Sequence, residues 1–400
     1  MARFRHLVPL AVAGWVFAAT VAHATSTRIQ SLGGDGDYFE DDFNVLRWYG
    51  SLPAYGDLAV LELGDIFLNG AIESEVFHQG AGIHAHLDSA QRWGTAALYV
   101  SDITDPYQVP GTLSFLWSRR FGLVQAGFSY QWARVDYEQI LDDGVATTWQ
   151  ETNATVGLGL RFDLADRAYL DLAGDWIGTA RAYERRHGLD AFPYVEQEGV
   201  WQSYTLRSRA FWGVTETVAL VPLVDHWHHE HLDLSRFEFT VPAELDSRQT
   251  RLGLGVDVFP DSDNMLVLSY EYRFGDATNT VLLNQSDLLR WECDSHSHHL
   301  RLGFESRLTS WLTLRGGAMQ VLPKLEVKAF YTDGQEEGQI VENSEKPRLD
   351  LNLGLGLHFG AFDADFVFHD DAPFSLGQLL LGAGYQRTSN FTSITLRYAF

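Results

Sequence analysis

Leu349-Asp350-Leu351-Asn352-Leu353-Gly354-Leu355-Gly356-Leu357-His358-Phe359 alternates apolar and polar residues without a break. Period two is the mark of a strand with one apolar face, because successive side chains leave a strand on opposite sides. The same pattern recurs in Arg251–Phe259, with Leu252, Leu254, Val256 and Val258 set against Gly253, Gly255 and Asp257. It returns in Ala154–Phe162, in Leu300–Glu305 and in the last nine residues. From Leu58 onward the chain reads as about 16 such segments, with about 14 as the alternative count, and an even number is what a closed antiparallel barrel requires.

The connections between segments come in two kinds that take turns. Short ones fall near Asp88–Trp93, Arg120, Leu164, Gly213–Thr215, Pro260–Asp263, Leu308–Thr309 and Gly360. Long polar ones fall near Ile66–Gln79, Ser101–Pro110, Tyr137–Trp149, Thr179–Gly199, His231–Ala243, Asp276–Ser295, Pro323–Glu345 and Asp370–Thr388. An antiparallel meander gathers one kind at each rim. The expected fold is all-β: a transmembrane antiparallel up-and-down β-barrel over residues 57–400, with short periplasmic turns and long extracellular loops.

A soluble barrel would bury the apolar face, whereas a membrane barrel turns it to lipid. An aromatic residue near every short turn favours the membrane: Trp93, Phe121, Phe162, Trp212, Phe259, Trp311 and Phe359, with Phe400 at the end of the chain. Aromatics at one level form the girdle that a bilayer interface selects. The polar face then becomes the lumen wall, and its charged members are Arg161, Asp171, Asp175, Arg207, Arg209, Glu271, Arg273, Arg301, Glu305, Arg315, Asp350, Asp363, Asp365 and Arg397. Asp363 and Asp365 on the penultimate strand are expected to lie opposite or diagonal to Arg397 on the last, within pairing reach.

Residues 1–24 read as a cleaved secretory signal: Arg3 and Arg5, an apolar run from Leu7 to Ala19, then Ala22-His23-Ala24. Export and a barrel together place the protein in the outer membrane of a Gram-negative bacterium. The net charge of −24 argues against nucleic acid, which needs a basic footprint. One cysteine, Cys293, can form no internal disulfide.

The terminal Thr392-Ser393-Ile394-Thr395-Leu396-Arg397-Tyr398-Ala399-Phe400 resembles the carboxy-terminal signal of Gram-negative outer-membrane proteins. That resemblance implies the barrel-assembly machinery as a partner. Residues 25–56 lack strand alternation and contain Leu32-Gly33-Gly34, the acids Asp35, Asp37, Glu40, Asp41 and Asp42, and then Asn44. This layout resembles the amino-terminal segment of the FadL- and PorV-like outer-membrane proteins, although Tyr49-Gly50-Ser51-Leu52-Pro53 stands where that group has an Asn-Pro-Ala step. The resemblance implies a small hatch in the barrel and transport of hydrophobic molecules; the plain alternative is a periplasmic tail. Inward glycines at Gly157, Gly159, Gly253, Gly255, Gly303, Gly354 and Gly356 fit a hatch, since glycine in a strand marks close approach of another backbone. They equally fit strand curvature.

Two further stretches carry chemistry. Asp225-His226-Trp227-His228-His229-Glu230-His231 and Ser295-His296-Ser297-His298-His299 are expected at outer strand ends, where His229 and His231 share a face as a weak metal pair; their spacing matches no specific metal motif. Acidic residues Glu326, Asp333, Glu336, Glu337, Glu342 and Glu345 suit divalent cations that bridge to lipopolysaccharide phosphates, or simply a solvated run. Gly-Leu-Gly repeats lie inside strands with no following helix, so no nucleotide loop is read, and no Gly-x-Ser-x-Gly elbow supports an enzyme. No cofactor is expected. The leading expectation is a porin-like channel for passive diffusion of small polar solutes. The alternatives are a FadL-like transporter of hydrophobic small molecules and a structural or adhesive protein with a blocked barrel.

Overall fold

The computed structural model describes residues 25–34, 36–65, 77–104, 111–140, 146–186, 193–233, 243–282, 288–332, 340–343, 347–368 and 391–400. Its strands are β1 (Leu58–Asp65), β2 (Phe77–His86), β3 (Thr95–Thr104), β4 (Gly111–Phe121), β5 (Val124–Ile140), β6 (Ala146–Ala165), β7 (Ala168–Arg186), β8 (Pro193–Gly213), β9 (Val218–Asp233), β10 (Ala243–Asp261), β11 (Asn264–Leu282), β12 (Leu288–Thr309), β13 (Leu312–Thr332), β14 (Ile340–Asn343), β15 (Arg348–Phe359), β16 (Phe362–Phe368) and β17 (Phe391–Ala399). Each pairs antiparallel with its sequence neighbour, and β1 also pairs with β17, from Leu58 opposite Ala399 to Gly64 opposite Ser393. That pairing closes the sheet. β14 and β15 both pair with β13, along successive stretches of its edge, so they are two pieces of one stave and the barrel has 16.

The apolar face points outward. Leu158, Leu206, Leu254, Leu300, Leu302, Leu351 and Leu353 are exposed, while Arg161, Arg209, Glu271, Arg315 and Asp365 on the opposite faces are buried inside. A soluble protein could not leave so much apolar surface bare. This is a transmembrane barrel of the Gram-negative outer-membrane kind.

The strands are longer than the alternation suggested. β12 runs for 22 residues and β8 for 21, whereas about 9–11 tilted residues cross a bilayer. Pairing continues to Ile140 opposite Ala146 and to Leu282 opposite Leu288, well into stretches read as loops. Beyond the lipid neither face needs apolar residues, so the period-two signal fades although the hydrogen-bonded ladder does not. The Ser295–His299 run therefore sits in the middle of β12, not at its end, whereas Asp225–His231 occupies the outer part of β9, which ends at Asp233.

Most of the expected periplasmic girdle lies on the outer face, with Trp93, Phe121, Trp212, Trp311, Phe359 and Phe400 exposed and Phe162 half-buried. Phe259 is a correction: it shares the inward face with Asp257 and packs against the buried cluster inside. A second outward aromatic row, Tyr130, Trp132, Trp176, Tyr204 and Tyr270, lies farther along the strands. It is hard to read from sequence because no turn flags it.

Inside the barrel sits the segment before β1. Helix α1 (Ser26–Ser31) is capped by Thr25, whose hydroxyl accepts from the Arg28 N–H at 3.1 Å. It ends at Gly33 and Gly34, both left-handed (φ 99° and 84°), with the Gly34 N–H bonded to the Ile29 carbonyl. Three 3-10 turns follow, Gly36–Tyr38, Phe43–Leu46 and Tyr49–Ala54. Residues 1–24, expected to be a secretory signal, lie outside the described residues, as do Asp333, Glu336, Glu337 and Glu345 of the acidic stretch.

Candidate functional site

The site is the seat of residues 25–55, hereafter the hatch. The inward glycines make the seat. A Cβ on Gly127 would lie 2.2 Å from the Tyr49 carbonyl oxygen, and one on Gly159 would lie 2.9 Å from the Gly50 nitrogen. Gly253 and Gly255 face the Tyr38 ring, Gly303 and Gly317 the backbone of Leu32, and Gly354 the Ser31 side chain. The hatch thus meets wall glycines on six staves, with backbone itself against four of them, β5, β6, β12 and β13. Two apolar clusters fill the remaining contact. Leu32, Tyr38, Phe39 and Trp48 pack on Ala173, Phe211, Val221, Leu223, Met265 and Val267. Val45, Tyr49, Leu52 and Tyr55 pack on Leu58, Val60, Ala97 and Leu116.

A lattice of ion pairs locks the two parts. Asp37, fully buried, pairs with Arg47 at 2.8 Å and with Arg251, and its main-chain carbonyl accepts from Arg209 at 3.0 Å. Arg28 reaches Glu305 at 2.7 Å and Asp41 at 3.5 Å. Glu305 also takes Arg315 at 2.6 Å, and Arg315 continues to Asp365, which accepts from Thr25 Oγ1 at 3.0 Å. Arg397 joins Asp42 and Asp363, each at 3.3 Å, as the strand pairing predicted for Asp363.

Arg161 bonds Asp171 at 2.7 Å and Glu40 at 3.1 Å, and Asp171 also takes Arg209 at 2.9 Å. Arg209 lies over the Trp48 ring, 4.6 Å from its centroid. Tyr49 donates to Asp175 at 2.5 Å, and Asp175 pairs with Arg207. Tyr38 donates to Glu271 at 3.0 Å, and Glu271 gathers Arg251, Arg273 and Arg301. Asp350 alone stays clear of the lattice, pairing with Arg348 at 2.7 Å. The sequence thus named most wall members of the network but missed Arg251 and Asp225 on the wall, and Arg28, Asp37, Glu40, Asp41, Asp42 and Arg47 on the hatch. Their signal was compositional: acids crowd residues 35–42 while arginines crowd the inward faces.

The hatch acids titrate in opposite senses. Arg47, Arg251 and Arg209 hold Asp37 well below the usual carboxylate range despite its burial. Burial pushes Asp41 up to about 7 and Asp42 well above its ordinary value, the latter also through its neighbour Asp41. A carboxyl whose affinity for a proton is higher docked than free makes docking tighter when protonated. From about pH 4 to 7 the docked state therefore holds more protons, and docking weakens as pH rises. Asp37 acts oppositely, but its contribution is lost only in strong acid. Hydrogen exchange across residues 25–55 is expected to be slower at pH 5.5 than at pH 8.5, after correction for the intrinsic rate. Equal corrected protection would refute the docking linkage.

The histidine runs divide by face. His226, His228, His296 and His298 share the outward face with Tyr204, Tyr270 and Tyr272, and Tyr270 and Tyr272 hydrogen-bond His298 and His296 at 2.8 Å each. His229 faces inward, stacked on Trp227 with its Nδ1 2.5 Å from Ser203 Oγ. The His231 side chain lies outside the described residues. Among the described residues no three His, Cys, Asp or Glu side chains converge as metal ligands.

No family model matches the sequence, and no curated protein does. Among solved structures, the toluene transporter TodX of Pseudomonas putida superposes with a TM-score of 0.40 at 9% identity, covering 94% of this chain and 96% of that one. The Ralstonia pickettii toluene transporter TbuX gives 0.42 at 10%, covering 94% and 98%. The monoaromatic hydrocarbon channel CymD gives 0.44 at 11%, covering 94% and 98%.

Proposed function

We propose that this protein is an outer-membrane channel closed at rest by its own hatch, and that it admits small molecules with a substantial apolar part. The observation that carries this reading is the seated hatch itself. A barrel of 16 staves is wide enough for an aqueous pore unless something fills it, and residues 25–55 fill it here. The surface beneath the hatch sets the solute class. Phe211, Val221, Leu223, Met265 and Val267 point into the lumen, where a pore for polar solutes would carry hydrogen-bonding groups. When the hatch shifts, a passing molecule meets this apolar strip, which favours an apolar partner. This is the FadL-like reading rather than passive diffusion of polar solutes. Transport has no chemical step; the concentration difference drives it, and most of the inward charges named above join the lattice that holds the hatch.

Single-channel recording in a planar bilayer tests closure. The intact chain is expected to be silent, and a chain lacking residues 25–55 to give discrete conductance steps. Liposomes holding the intact chain are expected to take up an apolar fluorescent probe faster than empty ones while not swelling in arabinose. Steady conductance and arabinose swelling with the intact chain would restore the polar-diffusion reading. Silence from both folded chains, with no probe uptake, would leave the structural or adhesive one.

A further inference from the structure

The outward side of the hatch presents guanidinium groups and hides carboxylates. Arg47 bridges Asp37 and Asp225, at 2.8 and 3.2 Å, and its side chain keeps 37% exposure while Asp37 has none. On the wall beside it, Arg207 is 14% exposed against 5% for its partner Asp175, and Arg273 is 16% exposed against none for Glu271. Asp225, at 14%, is the accessible acid among them, and it is shared by Arg47, Arg207 and Arg251. In a chain of net charge −24 this is a locally cationic floor.

The wall above it is aromatic. Asp225 lies on β9, and the next inward residues away from the periplasmic turn are Trp227 and His229, whose rings stack at 5.6 Å with planes 5° apart. Strand pairing sets Trp227 between Thr205 and Gln249, and Asp225 between Arg207 and Arg251. A flat apolar surface therefore stands one step above a set of forked donors. Guanidinium groups bind carboxylates through paired, charge-assisted hydrogen bonds, and an aromatic face accepts a planar ring.

We propose that this floor is a receptor for a small aromatic carboxylate, with the carboxylate held by Arg47 and Arg207 and the ring laid on Trp227. The assignment deepens the channel reading by naming the class of molecule that reaches the closed hatch, and it rests on that reading for its physiological meaning. Both halves of the ligand are needed. An uncharged ring lacks the ion pairs, and a bare carboxylate must compete with Asp225 without ring contact.

Isothermal titration of the full mature chain in detergent tests the receptor directly, with benzoate, benzyl alcohol and acetate as probes. Benzoate is expected to bind saturably, and the other two at least tenfold more weakly, a difference of about 1.4 kcal/mol. Arg47→Met and Trp227→Leu are each expected to weaken benzoate at least tenfold. Trp227→Leu leaves every ion pair of the hatch in place, so it remains informative if Arg47→Met disturbs the hatch. Benzyl alcohol binding as well as benzoate, absence of benzoate binding, or a Trp227→Leu chain that binds benzoate like the parent would each overturn the proposal. None of these outcomes touches the conductance of the truncated chain, so receptor and channel fail separately.

Discussion

Gly127→Val is expected to expel the hatch while leaving the barrel folded. Gly127 lies on β5 between Ser118 and Gly159, with its missing side chain directed at the hatch. A Cβ there would sit 2.2 Å from the Tyr49 carbonyl oxygen, 2.4 Å from its carbon and 2.8 Å from the Gly50 nitrogen. All three atoms are backbone, so no side-chain rotation relieves the clash. The strand itself loses nothing, because valine suits extended backbone. The overlap must move Tyr49 and Gly50 away from the wall, breaking the Tyr49–Asp175 hydrogen bond and the cluster around Leu52. The measurable results are protease cleavage between residues 25 and 56 and channel steps in a full-length chain. Gly174→Ala is the control, because that Cβ would face the flexible Leu206 side chain at 3.2 Å on the lipid side. A Gly127→Val chain that stays silent and protease-resistant would mean that the hatch does not sit as described.

Asp37→Asn removes the centre of the lattice at almost constant volume. The carboxylate is fully buried, pairs with Arg47 and Arg251, and accepts from the Trp48 indole at 2.9 Å. Asparagine can keep the indole bond but cannot balance two guanidinium charges. Breaking one side of a buried ion pair costs about 3–5 kcal/mol. Asp225 remains to both arginines and will offset part of that. The loss falls on docking, not on the strand ladders, so amide exchange should accelerate in residues 25–55 and stay unchanged in β6 to β12. Uniform acceleration throughout the barrel would show that the lattice supports the wall itself. No acceleration anywhere would show that the apolar clusters suffice to hold the hatch.

The two substitutions probe layers that were unequally legible in the sequence. Gly157, Gly159, Gly253, Gly255, Gly303 and Gly354 stood out as inward glycines, and each does face the hatch. Gly356 instead faces Arg315 and Asp365 on the wall. The residues that approach them could not be read, because approach depends on where the hatch turns. Arg209 and Asp171 were legible as wall charges, yet their connection to the main chain of Asp37 was not.

Strand identity, inward and outward faces, turn order and closure into a transmembrane barrel were written in the sequence. Each follows from a period of two residues and from turn residues at fixed offsets, and such signals act over a few positions. Strand length was legible only where lipid forced one face to be apolar. Tertiary structure alone decided that residues 25–55 fill the lumen and that Asp37 meets Arg251 across 214 positions; the inward face of Phe259 was already set by its parity with Asp257. Partners that far apart share no local pattern. Their meeting depends on barrel closure, which brings charges from many staves to one level around a segment small enough to fit between them.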